Sequence, residues 1–579
     1  MYDKLNKIEK VIFDLLAVAL LLFYCYSAVL RPAATQYHRG VYCLITFILV
    51  FLLYKSRHRI MRAVDYLLIL LSITTVGYWI INFEAINYRS GAETLTDQTI
   101  AVIGILIGIE LARRVIGFSF VIIGCLLLAY GVFGPHMPEL FAHPGDTFVG
   151  LCTTCFYKSD GVFGIMANVL ATYVLLFVLF GAFLEASGAQ RFFIDLPLAA
   201  VGHRIGGPGK VSVLASCLFG SISGSAIANT VSTGAFTIPM MKKAGFKPHI
   251  AGAIEPAASI SGMFMPPIMG AGGFIMSELT GIPYSKIMLI AIFPALMYVF
   301  SVFVMVHYEA KIHNIKGEKS KYSAMEILKN EWYFTLPLII ITVLMLMGYS
   351  AGFAAVIGLF TCVVISWLKK ETRITPMRFV AASRTGAENS LKIGATVGVI
   401  GIIIAVLTFS GLILTFADIV ISLAEGRLFI TILLIALASL VLGMGVPVTA
   451  AYLITAVVAV PALTYLGVNE IAAHMIVYWL SQDSNITPPV CIAAFAGAAI
   501  AKANMWKTAF SAFKFAKFLY LSPFLFGYVP GYSLQGGTMA IVKAMVLIVI
   551  GTYLYSYFMS FHWVYALNRK FFKKGEAVG

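Results

Sequence analysis

Again and again this sequence runs apolar for about twenty residues between shorter polar or basic stretches. Val11–Leu30, Val64–Asn82, Val115–Gly134, Ile165–Glu185 and Ile287–Val306 are such runs. The hydrocarbon core of a bilayer takes about 20 residues of helix to cross. No water is available there, so only helices and closed barrels can satisfy their own backbone. The chain is therefore expected to be an all-α polytopic membrane protein with about 14 spans. Of its 579 residues 60% are hydrophobic and only 12% charged, which leaves no room for a large soluble domain. The net charge of +15 is that of basic cytoplasmic loops and calls for no nucleic-acid partner.

One assignment of sides satisfies every loop. Lys4, Lys7 and Lys10 put the N-terminus inside; Lys55, Arg57, Arg59 and Arg62 form the next inside cluster. Arg113-Arg114, Lys369-Lys370, the lysines 502, 507, 514 and 517, and the tail with Arg569-Lys570 and Lys573-Lys574 also fall inside. Both termini are thus expected to be cytoplasmic. The segment Asp97–Ala112 holds Glu110 and reads either as a span or as an interfacial amphipathic helix. Gly134 to Gly164, with Pro135, Pro138 and Pro144, reads as an outside connector between two membrane units. It carries Cys152 and Cys155, either a disulfide pair or two incidental thiols. Val11–Leu30 is too long, and lacks the small-residue site, for a cleavable signal peptide.

The stretch Phe219 to Met241, FGSISGSAIANTVSTGAFTIPMM, breaks the pattern. Basic clusters lie on both sides of it: His203, Arg204 and Lys210 before, Lys242, Lys243 and Lys247 after. It has therefore entered the membrane and returned on the same side. Its middle, Gly220 to Ser225, has the small residues and hydroxyls that a turn at that depth needs. Such a turn survives only where it is buried in protein or lines a cavity.

The stretch has a second copy 222 residues on. Pro239 recurs as Pro461, Gly245 as Gly467, Ala251 as Ala473, and Pro266-Pro267 as Pro488-Pro489. The second turn is Gly443 to Thr449, with little basic excess on its flanks. It is therefore expected to enter from outside. Two such copies make an inverted-topology repeat, a signature of secondary transporters with a site near the midplane.

After each hairpin comes a helix broken by Pro-Pro. Proline removes an N–H and clashes with the preceding turn, so carbonyls should be left without partners. Carbonyl and hydroxyl oxygens suit Na⁺, and half-helix N-termini suit an anion. The first candidate site combines Ser221, Ser223, Gly224, Ser225 and Asn229 with Met265, Pro266 and Pro267. The second combines Gly443, Gly445, Pro447 and Thr449 with Asp483, Ser484, Asn485, Thr487 and Pro488. The competing reading is that small residues simply permit close helix packing. Substrate contact is expected from Ser223, Gly224, Ser225, Asn229, Pro267, Thr449, Asn485 and Thr487. Cation binding or proton coupling is expected from Ser221, Ser223, Met265, Pro266, Gly443, Gly445, Pro447, Asp483, Ser484 and Pro488.

Asp483 lies deep in an apolar segment, where a carboxylate is costly and functional by default; it would ligate a cation or carry a proton. Glu255 and Glu185 are weaker proton-coupling candidates, since each lies about a turn from a loop and could snorkel or pair with Lys. No Lys or Arg falls between Val211 and Met241 or between Leu428 and Ala501. An anion would then be held by hydroxyls, amides, helix dipoles and bound cations.

The wording FGSISGSAIANT, MPP, LGMGVPVTAAYL and NITPPV resembles the membrane component of tripartite ATP-independent periplasmic (TRAP) transporters, over roughly residues 163–528. The resemblance implies an elevator mechanism coupled to Na⁺ or H⁺, with no other cofactor. It implies a small subunit fused in front as residues 1–134, a connector at 135–164, and a large-subunit-like unit at 165–535. Within that unit repeat 1 covers about 165–306 and repeat 2 about 385–530; an extra helix and basic tail occupy 536–579. Fusion with this wording looks like the TAXI branch. That implies a periplasmic TAXI-type binding protein as partner and a dicarboxylate such as 2-oxoglutarate or glutamate as substrate. It also implies a monomer in a bacterial inner membrane. Asp483-Ser484-Asn485 departs from the family pattern and leaves protons open beside Na⁺. The other readings are a stand-alone carboxylate carrier or exchanger of the same fold, a channel, and an integral-membrane enzyme. An enzyme would need clustered His, Asp or Glu at one interface, and the membrane carboxylates here are scattered. There is no GxxxxGK[ST] loop for an ATPase.

Overall fold

A computed structural model describes residues 2–563 except 57, 58, 319 and 321, and without the side chains of 59–61. The basic tail, Arg57 and lysines 319 and 321 lie outside the described residues. Within them the protein is helical throughout, with no strand. Among the described residues eleven helices are long and apolar enough to cross a membrane, and shorter apolar helices such as Leu412–Leu423 and Leu428–Leu442 accompany them.

Leu95–Val115 is one of the eleven. A capping box of Thr94 and Asp97 starts it. Glu110 does not force it out of the core, because Arg113 and Arg114 each hold the carboxylate at 2.7 Å. Arg114 also pairs with Asp65 at 2.6 Å, which ties this helix to the one before it.

The breaker-rich stretch 134–164 is not a plain connector. Its middle forms a helix, Phe148–Tyr157, that packs against Leu95–Val115. Spacing of i,i+3 puts Cys152 and Cys155 on one face of that helix. Both are free thiols buried in the core. Burial pushes the Cys152 thiol up to about 11. The Tyr157 hydroxyl donates to the Asp97 carbonyl at 2.8 Å.

Two bodies of helices follow from the packing. A framework joins Lys7–Val29, Thr35–Leu53, Leu175–Ala186 and Ala351–Ser366 to the long helix that begins with Pro376–Gly394 and continues as Val397–Ser410. Arg384 clamps Asp14 across it at 2.6 Å. The second body holds both hairpins and both broken helices. Pro248–Ser259 packs on Ile492–Ala501, and Ala226–Lys243 packs on the same helix.

The offset of 222 extends from sequence to structure. Ala226–Lys243 recurs as Val448–Tyr465, Pro248–Ser259 as Glu470–Leu480, and Gly270–Thr280 as Ile492–Ala501. Met269 and Cys491 share a left-handed backbone, at φ 57° and 45°.

The framework depends on close helix contact. A Cβ on Gly108 would lie 2.9 Å from the Gly398 Cα of the facing helix. Gly108→Val should destabilise the protein by about 1–3 kcal/mol through overpacking. Gly551→Val is the control, since nothing lies within 4 Å of that position. Thermal unfolding in detergent should show a lower Tm for the first and no change for the second.

Candidate functional site

The first hairpin has arms Gly207–Ser223 and Ala226–Lys243. Gly224 turns it at φ 59°, a conformation that favours glycine. The site also forbids a side chain, because a Cβ there would lie 2.9 Å from the Gly270 Cα. A Cβ on Gly220 would meet the Gly262 Cα at 2.9 Å. These glycines let the hairpin lie directly on the helix that follows it. The Ser225 hydroxyl caps the second arm by accepting from the Ala228 N–H at 3.3 Å.

Two expected contact residues are spent inside this packing. Asn229 is fully buried and donates to the carbonyls of Ser216, at 2.8 Å, and Ser259, at 3.4 Å. The Ser221 hydroxyl donates to the Leu218 carbonyl at 2.8 Å. Ser223, by contrast, keeps a buried hydroxyl without a partner.

At the first break the chain turns extended at Met265 and resumes as helix at Gly270. The carbonyls that proline frees are not vacant. The Tyr284 hydroxyl reaches those of Pro267 and Ile268 at 2.8 and 2.5 Å. The Tyr478 hydroxyl reaches those of Met263 and Met269, the latter at 2.6 Å. Each tyrosine carries one proton and so serves its two carbonyls in turn. Tyr478 belongs to the second broken helix, so one repeat caps the break of the other. Sequence reasoning missed both tyrosines, because an apolar segment with an aromatic residue every few positions gives no hint of which hydroxyl meets which carbonyl.

The second hairpin has arms Leu428–Leu442 and Val448–Tyr465. Gly445 turns it at φ 73°. A Cβ on Gly443 would touch the Ser484 Cβ at 3.0 Å, so this tip also lies on its own break. That break runs from the short turn Asp483–Asn485 through Thr487-Pro488-Pro489 to Ile492. Thr487 pairs with the Tyr520 hydroxyl. Several buried polar atoms here lack partners: Gln482 Oε1, Asp483 Oδ1, Asn485 Nδ2 and Thr449 Oγ1. Buried polar groups are normally paired, so this concentration marks a place built for something else.

Between the bodies lies a cavity of about 360 Å³. The first tip lines it with Gly224 and Ser225, the second with Gly445, Pro447 and Thr449, and the second break with Ser484 and Asn485. Three helix N-termini end at it, those beginning at Ala226, Val448 and Ile492. Each carries roughly half a positive charge and free N–H groups. Thr449 and Asn485, 5% and 4% exposed, are among its lining residues, and each has a buried polar atom without a hydrogen-bond partner among the described residues. The framework closes it with Val115, Ile116, Lys392 and Ile393. Lys392 is not among the site residues expected from the sequence, because it lies outside both hairpins and both breaks. The structure thus brings seven of the expected residues to one wall. Ser221, Ser223, Asn229, Met265, Pro266, Pro267, Gly443, Asp483, Thr487 and Pro488 lie outside that lining.

The weaker carboxylates separate sharply. Glu185 is exposed. Glu255 neither snorkels nor pairs with a lysine. It is fully buried and five hydroxyls surround it. Ser212 donates to Oε2 and Ser216 to Oε1, each at 2.5 Å. Thr237 and Thr233 do the same from the second arm, and Ser259 reaches Oε1 at 3.3 Å. Four of these residues come from the two hairpin arms, at i,i+4 spacing on each, so their alignment was visible only once the hairpin had formed.

Tyr478→Phe should leave the carbonyls of Met263 and Met269 without a donor. The expected cost is about 1–3 kcal/mol, read as a lower Tm of the purified protein. Tyr26→Phe, at an exposed position, should leave Tm unchanged.

Comparison with known proteins places these features in a family. Residues 103–532 match the model of the tripartite ATP-independent periplasmic transporter, DctM component. A putative TRAP transporter large permease protein of Haemophilus influenzae is 27% identical over 54% of this chain and 74% of its own length. The 2,3-diketo-L-gulonate TRAP transporter large permease protein YiaN of Escherichia coli is 26% identical over 54% of this chain and 74% of its own. The C4-dicarboxylate TRAP transporter large permease protein DctM of Pseudomonas aeruginosa is 24% identical over 66% of this chain and 92% of its own. With three quarters of its length in that match, the chain belongs to the DctM component family of TRAP transporters and is a multi-pass membrane permease, not an enzyme.

Proposed function

We propose that the protein is an ion-gradient-driven importer of a small dicarboxylate, such as 2-oxoglutarate or glutamate, delivered by a periplasmic TAXI-type binding protein. The observation that carries the anion reading is the convergence of three helix N-termini and two unpartnered polar side chains on one cavity. Helix N-termini are ready anion sites. The volume suits a small organic acid. The C4-dicarboxylate and diketo-gulonate permeases among the relatives are named for carboxylates. The sequence wording supports the TAXI assignment, with the two repeats inverted and moving as an elevator against the framework. The chain acts as a monomer in a bacterial inner membrane, with cytoplasmic termini. We assign the fused small-subunit equivalent to residues 1–134, ahead of the large-subunit-like unit at 165–535. The cavity is bounded by Ile116 and Lys392, beside the basic residues Arg113 and Arg114, which supports an inward-facing state.

Coupling follows from the two buried carboxylates. Glu255 suits a proton. Each serine or threonine hydroxyl has one proton and can donate or accept. Thr233 is within reach of both Glu255 and the Asn229 carbonyl, at 2.8 Å. With Glu255 ionised, Thr233 donates to it; with Glu255 protonated, the acid donates to Thr233, which then donates to Asn229. The cage thus accepts both forms by rotating hydroxyls. No cation is among the partners of Glu255 in the described residues. On the helices packed against it, Lys507 is exposed, Lys514 pairs with Glu309 at 2.9 Å, and Lys210 lies 3.0 Å from His307. Asp483 suits a Na⁺ ligand instead, because its unpartnered Oδ1 and the unpartnered side-chain amide oxygen of Gln482 belong to consecutive residues at the break. The first break is a poor Na⁺ site, since tyrosines already cap its carbonyls.

Uptake of labelled 2-oxoglutarate and glutamate into proteoliposomes tests this, under an inward Na⁺ or H⁺ gradient, with and without the cognate binding protein. A requirement for the binding protein is expected, with a contribution from each gradient. Glu255→Gln should abolish proton-driven uptake, and Asp483→Asn should lower Na⁺ dependence. Uptake that ignores both gradients and both substitutions would overturn the coupling assignment.

A further inference from the structure

The cavity has two unlike walls. One is made by the hairpin tips and the second break, with helix N-termini, Thr449 and Asn485. The other belongs to the framework, and there Lys392 is the one charged side chain among the lining residues. Among the described residues no Asp or Glu lines the cavity. Lys392 is exposed and makes no ion pair among the described residues. Glu388, one turn earlier, is half-buried and does not reach it. The helix that carries Lys392, Pro376–Gly394, packs on Lys7–Val29 and Leu175–Ala186, not on the hairpins.

We propose that Lys392 binds the second carboxylate of a dicarboxylate whose first carboxylate sits at the hairpin-tip N-termini. This rests on the anion-transport reading above. The N-termini and the Thr449 and Asn485 side chains can hold one carboxylate, with donors that come from backbone and amide. A lysine is a compact point charge with three rotatable donors and asks for a further oxyanion. A substrate with one carboxylate leaves that charge unmatched, whereas a substrate with two bridges the walls. Lys392 is therefore a specificity-determining residue that selects for the second negative charge. It also makes the bound dicarboxylate a tie between framework and hairpins in this arrangement.

The test compares two acids of equal chain length, 2-oxoglutarate and the monocarboxylate 2-oxopentanoate. Binding is measured by calorimetry on the purified full-length protein and on Lys392→Gln and Lys392→Arg. A charge-assisted hydrogen bond contributes about 1.5–3 kcal/mol, so Lys392→Gln should weaken 2-oxoglutarate by about tenfold or more. It should leave 2-oxopentanoate within about twofold, and Lys392→Arg should restore most of the 2-oxoglutarate affinity. Equal losses for both acids would show a general or structural effect and overturn the proposal. An unchanged 2-oxoglutarate affinity in Lys392→Gln, with wild type binding normally, would overturn it and leave the transport reading intact. Wild-type protein that binds neither acid would overturn both.

Discussion

A bilayer offers no water to a broken helix. Every carbonyl that the two Pro-Pro breaks release must find a protein donor or a ligand. At the first break the protein supplies its own donors, Tyr284 and Tyr478. At the second the carbonyls of Gln482 and Asp483 pair with backbone N–H groups of the turn, and it is the side chains of Gln482, Asp483 and Asn485 that keep polar atoms without partners among the described residues. The two repeats share backbone plan and differ in what completes them. Glycines make this possible, because each hairpin tip must approach its break closely enough for those groups to meet.

The same constraint explains the asymmetry of charge. A buried carboxylate is tolerated where hydrogen bonds replace its lost hydration. Glu255 has five hydroxyls for that purpose, all within the hairpin body. Among the described residues the Asp483 carboxylate has no hydrogen-bond partner, and it sits at the second break. One carboxylate is thus closed into a polar cage and the other is placed at an unfinished polar site. Membrane proteins keep such groups where ions or substrates pass.

Much of the fold was legible along the chain. Apolar runs and Lys/Arg clusters gave the all-helical class. The recurrence of Pro239 at Pro461 and Gly245 at Gly467 gave the repeat, and its element boundaries follow the same offset in space. The turns at Gly224 and Gly445 were readable because glycine is the residue that adopts a left-handed backbone freely. The helix Phe148–Tyr157 inside the connector was not legible, because Pro135, Pro138 and Pro144 mark breaks while the helix itself is only ten residues long. Glu255 was undervalued for a similar reason. Closeness to a loop in sequence says nothing about depth in a bundle.

The sequence by itself determined which segments are apolar enough to lie in a membrane, where proline and glycine interrupt them, and that the interruption comes twice. Those properties are local, set by hydropathy, by proline and by glycine. Tertiary structure alone decided that Tyr478 caps the other repeat's break, that hydroxyls from two arms converge on Glu255, and that Lys392 faces the hairpin tips across one cavity. These pairings join residues far apart in the chain, and only the packing of helices against one another brings them within reach.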